Sequence, residues 1–192
     1  MATRGTTKRK ILDLAESLLQ LRGYNAFSYH HLSSELGIKN AAIHYHFPSK
    51  EALGVNIIER THHRFKKWTS NPEHRILSAK EQLDWFVKTY QYHLNTGNRV
   101  CLIGSLSTDY FTLPGSMQSA INKLSYDLQG WLTRILDHGR QAGELNFNGP
   151  SQDKALCVIS CLAGALQVAR LLGNQYFHRM VAQLYTDFNL TY

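Results

Sequence analysis

Apolar residues recur along this chain at helical spacing. Ile11, Leu14, Ala15, Leu18 and Leu19 follow the i, i+3, i+4, i+7, i+8 order that places one buried stripe on a helix. Gly23 predicts its end, because glycine enters the left-handed turn that closes a helix at least cost. Ser28 predicts the cap of a short helix through Glu35, with Gly37 as its stop. A third short helix is expected from Lys39 to His46, and it cannot pass Pro48. Ser49 caps a longer helix with Glu51 in its first turn, running to Trp68 before the Asn71-Pro72 break.

The second half of the chain repeats the pattern. Ser78-x-x-Glu81 is a capping box opening a helix with Leu83, Phe86, Val87, Tyr90 and Leu94 on one face, closed by Gly97. A shorter helix is expected over Cys101–Phe111, broken by Pro114-Gly115. A long one carries Met117, Ile121, Leu124, Leu128, Trp131 and Ile135 and ends near Gly143. After the loop Asn148-Gly149-Pro150, Ser151 is expected to cap the next helix, and Phe177, Met180, Val181, Leu184 and Phe188 mark the last. No sustained alternation predicts a strand. The expectation is an all-α protein of about nine helices.

At 192 residues the chain suits one domain, or a small domain joined to a larger one. The expected division is 1–48 and 49–192. Charge follows it approximately. Residues 1–68 hold 11 Lys and Arg against 5 Asp and Glu, whereas residues 69–192 hold 10 against 9. Excess positive charge concentrated in one third of the chain predicts a polyanionic partner, nucleic acid or an anionic membrane. Three cysteines are too few, and odd in number, for a disulfide scaffold. Residues 1–10 are polar, which leads us to expect a cytoplasmic protein without a signal peptide. The apolar run Ala155–Leu172 has spanning length, but Ser160, Gln167 and Arg170 within it favour a buried helix. No membrane partner is therefore expected.

Three short helices with a tight turn at Glu35-Leu36-Gly37-Ile38 form the pattern of a helix-turn-helix DNA reader; the alternative is an ordinary three-helix corner. Leu32, Leu36, Ile38 and Ile43 can cover a small core. The third helix then projects Lys39, Asn40, Ala41, His44 and Tyr45. Asparagine pairs two ways with adenine, lysine donates to guanine or phosphate, and alanine meets a thymine methyl. Lys8, Arg9 and Lys10 are expected in the first turn of their helix, where the dipole disfavours cations unless an external phosphate resolves the conflict.

The strings Ile-Leu-Asp-Leu-Ala-Glu (11–16), Arg-Gly-Tyr (22–24), Leu-Gly-Ile (36–38) and Tyr-His-Phe-Pro-Ser-Lys-Glu-Ala-Leu (45–53) resemble the N-terminal domain of the TetR family of bacterial regulators. The resemblance implies a DNA-binding domain at 1–48 and a helical ligand-binding and dimerisation domain at 49–192. It implies a homodimer, a double-stranded palindromic operator and, most commonly, repression. Carried onto this sequence, it places Ser28 and Tyr29 at the DNA backbone, Lys39, Asn40 and Ala41 at base edges, and His44 and Tyr45 at phosphates or bases. It makes Lys50 a phosphate lysine. Lys8 joins these as a candidate DNA contact from its position. His44 stands where the family most often has Tyr.

Cys101 opens Cys-Leu-Ile-Gly-Ser-Leu (101–106), which resembles a segment of one TetR branch that senses electrophiles or oxidants. A thiol at a helix start gains thiolate character, and Arg99 would add to it; the other reading is a packing residue. Trp85, Phe86, Tyr90, Tyr110, Phe111 and Trp131 are expected around a pocket for a small apolar or electrophilic ligand. Cys161, Gly164 and Ala165, with Phe177, Val181 and Leu184, are expected at the dimer interface. Cys157 and Cys161 are poorly placed for a disulfide. His30-His31 and His62-His63 are adjacent and His44 and His46 two apart, so they diverge; Glu59 and His63 at i, i+4 could share a metal but read as a surface pair, and no metal is expected. No catalytic residues and no cofactor are expected either, because neither a nucleophile motif nor a Gly-rich phosphate loop occurs. The rivals to a sequence-specific regulator are a sequence-independent DNA-binding protein and an all-α enzyme using Cys101.

Overall fold

Helix-forming periodicity becomes helix throughout the computed structural model, which describes residues 4–190. The elements are α1 (Arg4–Arg22), α2 (Tyr29–Leu36), α3 (Asn40–His46), α4 (Lys50–Ser70), α5 (Pro72–Arg75), α6 (Ala79–Asn95), α7 (Leu102–Thr108), a 3-10 turn (Tyr110–Thr112), α8 (Gly115–Gln141), α9 (Ser151–Leu172) and α10 (Asn174–Thr186). No strand occurs among the described residues. The helix beyond the expected nine is α5. It forms because the Asn71 side chain accepts the Glu73 N–H at 3.1 Å and Pro72 fills the position where no N–H is needed.

The chain forms two compact units. The first joins Met1–Arg64 with Leu102–Leu124; the second joins Phe65–Cys101 with Ser125–Tyr192. The units part after residue 64 rather than 48, since Leu53, Ile57 and Ile58 of α4 are buried in the same core as Ile11, Leu19, Leu32 and Ile43.

In the first unit, local signals set α2. Ser28 Oγ accepts from His31 N, and His31 Nδ1 accepts from Ser28 N at 3.1 Å, a reciprocal cap with histidine in the place of the usual glutamate. Gly37 closes α2 at φ 63°, and Ile38 N then bonds Ser33 O at 3.0 Å, which sets the turn into α3. The expected conflict at the start of α1 does not involve Lys8, Arg9 and Lys10. The helix begins at Arg4, so Lys8, Arg9 and Lys10 lie past the first turn, where the dipole no longer acts strongly. Arg60 bridges Asp13 at 2.6 Å and also pairs with Glu16; Arg64 reaches Glu16 at 2.6 Å. These pairs tie α4 to α1.

In the second unit, Ser78 and Glu81 cap α6 as their spacing predicts, and two hydrogen bonds from Ser78 hold the Glu81 carboxyl below its usual range. Trp68 stacks on Trp85 at 3.6 Å, Trp131 meets both edge-on at 6.0 Å, and His74 stacks on Trp68 at 4.5 Å. Ser151 does not cap α9: Pro150 takes that position, and the buried Ser151 hydroxyl bonds Asp137 instead. By length and composition α9 could cross a membrane, and 33% of its apolar window is buried. Its buried stripe (Ala155, Val158, Leu162, Ala165, Ala169) packs against α10 and α6.

Candidate nucleic-acid interface

The third helix is anchored by one residue and otherwise open. Ile43 is fully buried beneath it. Lys39, Asn40, Ala41, His44 and Tyr45 are all exposed, and the Tyr45 ring is 61% exposed. The i, i+4 relation of Asn40 to His44 and of Ala41 to Tyr45 puts these side chains on one outward face. This polar and aromatic surface is left exposed to solvent. The arrangement has the form of a reading helix, presenting base-pairing side chains with its hydrophobic residue turned inward.

The bracing of that helix shows what several expected contacts do. The Tyr29 hydroxyl donates to Phe47 O at 2.9 Å, and its ring meets His44 edge-on at 4.8 Å. Burial, with Tyr24 adding to it, pushes the Tyr29 phenol up to about 12, so it stays a donor. His44 Nδ1 lies 3.3 Å from Pro48 O; a carbonyl only accepts, so Nδ1 carries the proton and Nε2 is left for an outside partner. Tyr29 and His44 therefore hold the end of α3 as well as facing outward. Ser28 is exposed and engaged in the α2 cap.

The expected phosphate lysine, Lys50, and the candidate DNA contact Lys8 sit on rings. Lys50 Nζ lies 4.4 Å from the Tyr24 ring centroid and 4.7 Å from that of Phe27, and burial lowers its pKa, with Asp109 acting the other way. Lys8 Nζ lies 5.5 Å over Phe47.

Sequence reading missed Asp109. Its carboxylate accepts Tyr24 N at 2.7 Å, Asn25 N at 3.4 Å and Asn25 Nδ2 at 3.1 Å, while Thr112 Oγ1 accepts Asn25 Nδ2 at 2.8 Å. Ser105 Oγ donates to Leu19 O at 2.7 Å in the core. A segment more than 80 residues downstream thus holds the turn before α2. No local signal could have shown this; only the tertiary fold brings the two stretches together.

The residues expected around a pocket are divided between the two units. Phe86, Tyr90 and Trp131 are packed ring against ring in the second unit at 5.2–5.6 Å, each 5% exposed or less. Tyr110 and Phe111 belong to the first unit, where Phe111 is 94% exposed and Tyr110 accepts from Asn122 at 2.8 Å. Phe86 and Tyr90 fill the core of the second unit. Cys101 precedes α7, is 8% exposed, and is hydrogen-bonded to Tyr90. Burial, and then the neighbouring sulfur, raise the Tyr90 phenol well above its ordinary value.

The interface set also needs correction. Ala165, Phe177 and Val181 are fully buried within their own chain and Leu184 nearly so, because α9 and α10 pack those stripes on each other. Cys161 and Gly164 are half-buried. The open side of α9 carries Leu156, Cys157, Ser160, Gln167 and Leu171 instead. Among the described residues no group of three or more His, Cys, Asp or Glu converges on a metal position.

Residues 11–55 match the sequence profile of the bacterial regulatory proteins, tetR family. A solved TetR transcriptional regulator from Legionella pneumophila is 36% identical, covering 91% of this chain and 92% of that one, with a TM-score of 0.81. This chain belongs to the TetR family. A TetR-family regulator from Agrobacterium tumefaciens is 26% identical over 99% of this chain and 100% of that one, with a TM-score of 0.88. The HTH-type transcriptional repressor NemR of Escherichia coli K12 is 27% identical over 178 residues, 88% of this chain and 86% of that protein. The chain is a TetR-family transcriptional regulator with a DNA-binding helix-turn-helix, and its relatives are transcriptional regulators rather than enzymes.

Proposed function

We propose that this TetR-family regulator is a homodimeric repressor of a palindromic operator, released by a small ligand or by modification of Cys101. The outward face of α3 carries the reading: Asn40, Lys39 and Ala41 address bases, and Tyr45 and His44 reach bases or backbone. Tyr29, Ser28, Lys8 and Lys50 position the head against phosphates. Residues 1–48, with Lys50 at the start of α4, contain these parts, and the rest of residues 49–192 supplies pairing and response. Two such heads must stand roughly 34–36 Å apart, one DNA turn, to enter successive major grooves.

The open side of α9 supports pairing. An apolar helix covered by its own chain on one side is stable in water when a second copy covers the other. The known relative NemR is a repressor, which supports that sign of regulation here. Thiol control fits the place of Cys101 beside Tyr90. A thiol this buried meets reagent only when its surroundings open, so modification would trap an opened state.

Selection of bound duplexes from a random pool tests the reading. An inverted repeat recovered by the full-length protein supports it. Equal retention of random duplex against excess competitor would favour the sequence-independent alternative. Oxidant treatment of Cys101→Ser tests the thiol: operator release equal to wild type removes Cys101 as the switch.

A further inference from the structure

A groove of about 320 Å³ opens on the second unit between α4 and α8. Phe65, Tyr126, Trp131, Gly130, Lys66 and Arg134 are among the residues that line it. None of these residues except Trp131 belongs to the aromatic set expected from the sequence.

Gly130 is the informative residue. It lies inside a 27-residue helix, where glycine costs roughly 0.5–1 kcal/mol relative to alanine. Its backbone is not in the left-handed region, so no turn requires it. Nor does the chain's own packing: a Cβ there would meet only Arg134 Nη1, at 3.6 Å, an ordinary contact. Gly54 and Gly139 differ, since a Cβ at either would come within 2.6 Å of a neighbouring side chain. The missing side chain at 130 leaves space that nothing in this chain uses.

The charges of the lining indicate the sign of what would fill it. Asp127 is paired with Lys66 at 3.3 Å. Arg134 makes no ion pair among the described residues and is exposed. The groove thus offers two cations against one carboxylate that is already matched. A guanidinium prefers a planar, two-oxygen acceptor. Phe65 and Tyr126 offer apolar ring surface beside it; Tyr126 is 73% exposed, and Phe65 is held edge-on by Trp131 at 5.7 Å.

We propose that this groove is a binding site for a small aromatic carboxylate, its ring lying over Gly130 between Phe65 and Tyr126 and its carboxylate on Arg134, with Lys66 alongside. The site stands apart from the operator surface, and its occupancy is measured without DNA, so its failure would leave the regulator reading intact.

Isothermal titration of the full-length protein with 2-naphthoate tests it. Saturable binding is expected, weaker by about tenfold or more for 2-naphthalenemethanol, which lacks the charge, and for acetate, which lacks the ring. Gly130→Leu fills the groove while favouring the helix, and Arg134→Ala removes the anchor; each is expected to weaken naphthoate by at least about tenfold with an unchanged thermal midpoint or, for Gly130→Leu, a raised one. Absence of saturable naphthoate binding would overturn the proposal. So would equal affinity of wild type and Gly130→Leu, or equal binding of the neutral alcohol.

Discussion

The Asp109 carboxylate receives the backbone N–H of Tyr24 at 2.7 Å, across 85 positions of sequence. Asn25 adds its own N–H and its side-chain amide to the same carboxylate. This turn leads directly to the Ser28 cap of α2, so one acid near the end of α7 sets the entry to the reading motif. Replacing it with alanine leaves donors without their partner. Asp109→Ala should cost about 1–3 kcal/mol of stability in urea titration and speed amide exchange at residues 24 and 25. Asp109→Asn, which keeps an acceptor oxygen, should recover part of the loss. Unchanged exchange at Tyr24 in the alanine variant would contradict this role.

Tyr29 predicts an alkaline limit. Its phenol is raised to about 12, so the folded chain keeps a proton that the unfolded chain releases near 10. The unfolded state then binds fewer protons, and stability falls as pH rises from 10 through 12; below 10 the contribution is complete. Tyr90, also raised, adds in the same direction. Tyr29→Phe should lose about 0.5–1.5 kcal/mol near neutral pH with its hydrogen bond to Phe47, and show a shallower decline above pH 10. Equal slopes for the two proteins in denaturant titrations at pH 9 to 11.5 would count against it.

Asn40 and Lys50 should separate reading from holding. Asn40→Ala should flatten preference at one operator position, at about 1–3 kcal/mol, while other positions keep theirs. Lys50→Ala should weaken all duplexes alike and reduce the salt dependence of binding. Because Lys50 lies over Tyr24 and Phe27, it should also lower the thermal midpoint, which Asn40→Ala should not. Position-by-position affinity with melting curves on the same variants checks both.

Leu171 and Val181 should behave differently on opposite sides of the α9–α10 pair. Leu171 is 83% exposed and Val181 fully buried. Leu171→Glu should shift sedimentation toward monomer while the monomer stays folded. Val181→Ala should leave association intact and destabilise each chain by about 1–3 kcal/mol. A dimer unaffected by Leu171→Glu would move the proposed contact elsewhere.

What the sequence made legible was local. Ser28, Gly37 and the Ser78–Glu81 box act within four residues of themselves, so their types announced the helix ends they make. The outward face of α3 followed from one buried Ile43 and the helical period. Longer-range choices were hidden. Phe177 and Val181 read equally well as interface or core, and only the packing of α10 on α9 decides for core. Phe86 and Tyr90 could have lined a void, but their rings meet each other in the core. Asp109 carries no motif, and its partners are the main-chain groups of a distant turn. At Ser151 a cap residue lost its position to the proline before it, whose fixed φ suits the same role.

The tryptophan cluster separates the chain optically. All three indoles, Trp68, Trp85 and Trp131, stand together in the second unit, and the first unit has none. Intrinsic tryptophan emission therefore watches the second unit alone and is blind to melting of the first. Tyr24, Tyr29, Tyr45 and Tyr110 of the first unit share their emission band with six tyrosines of the second, so a tryptophan introduced into the first unit would be needed to watch the two units come apart together or in sequence.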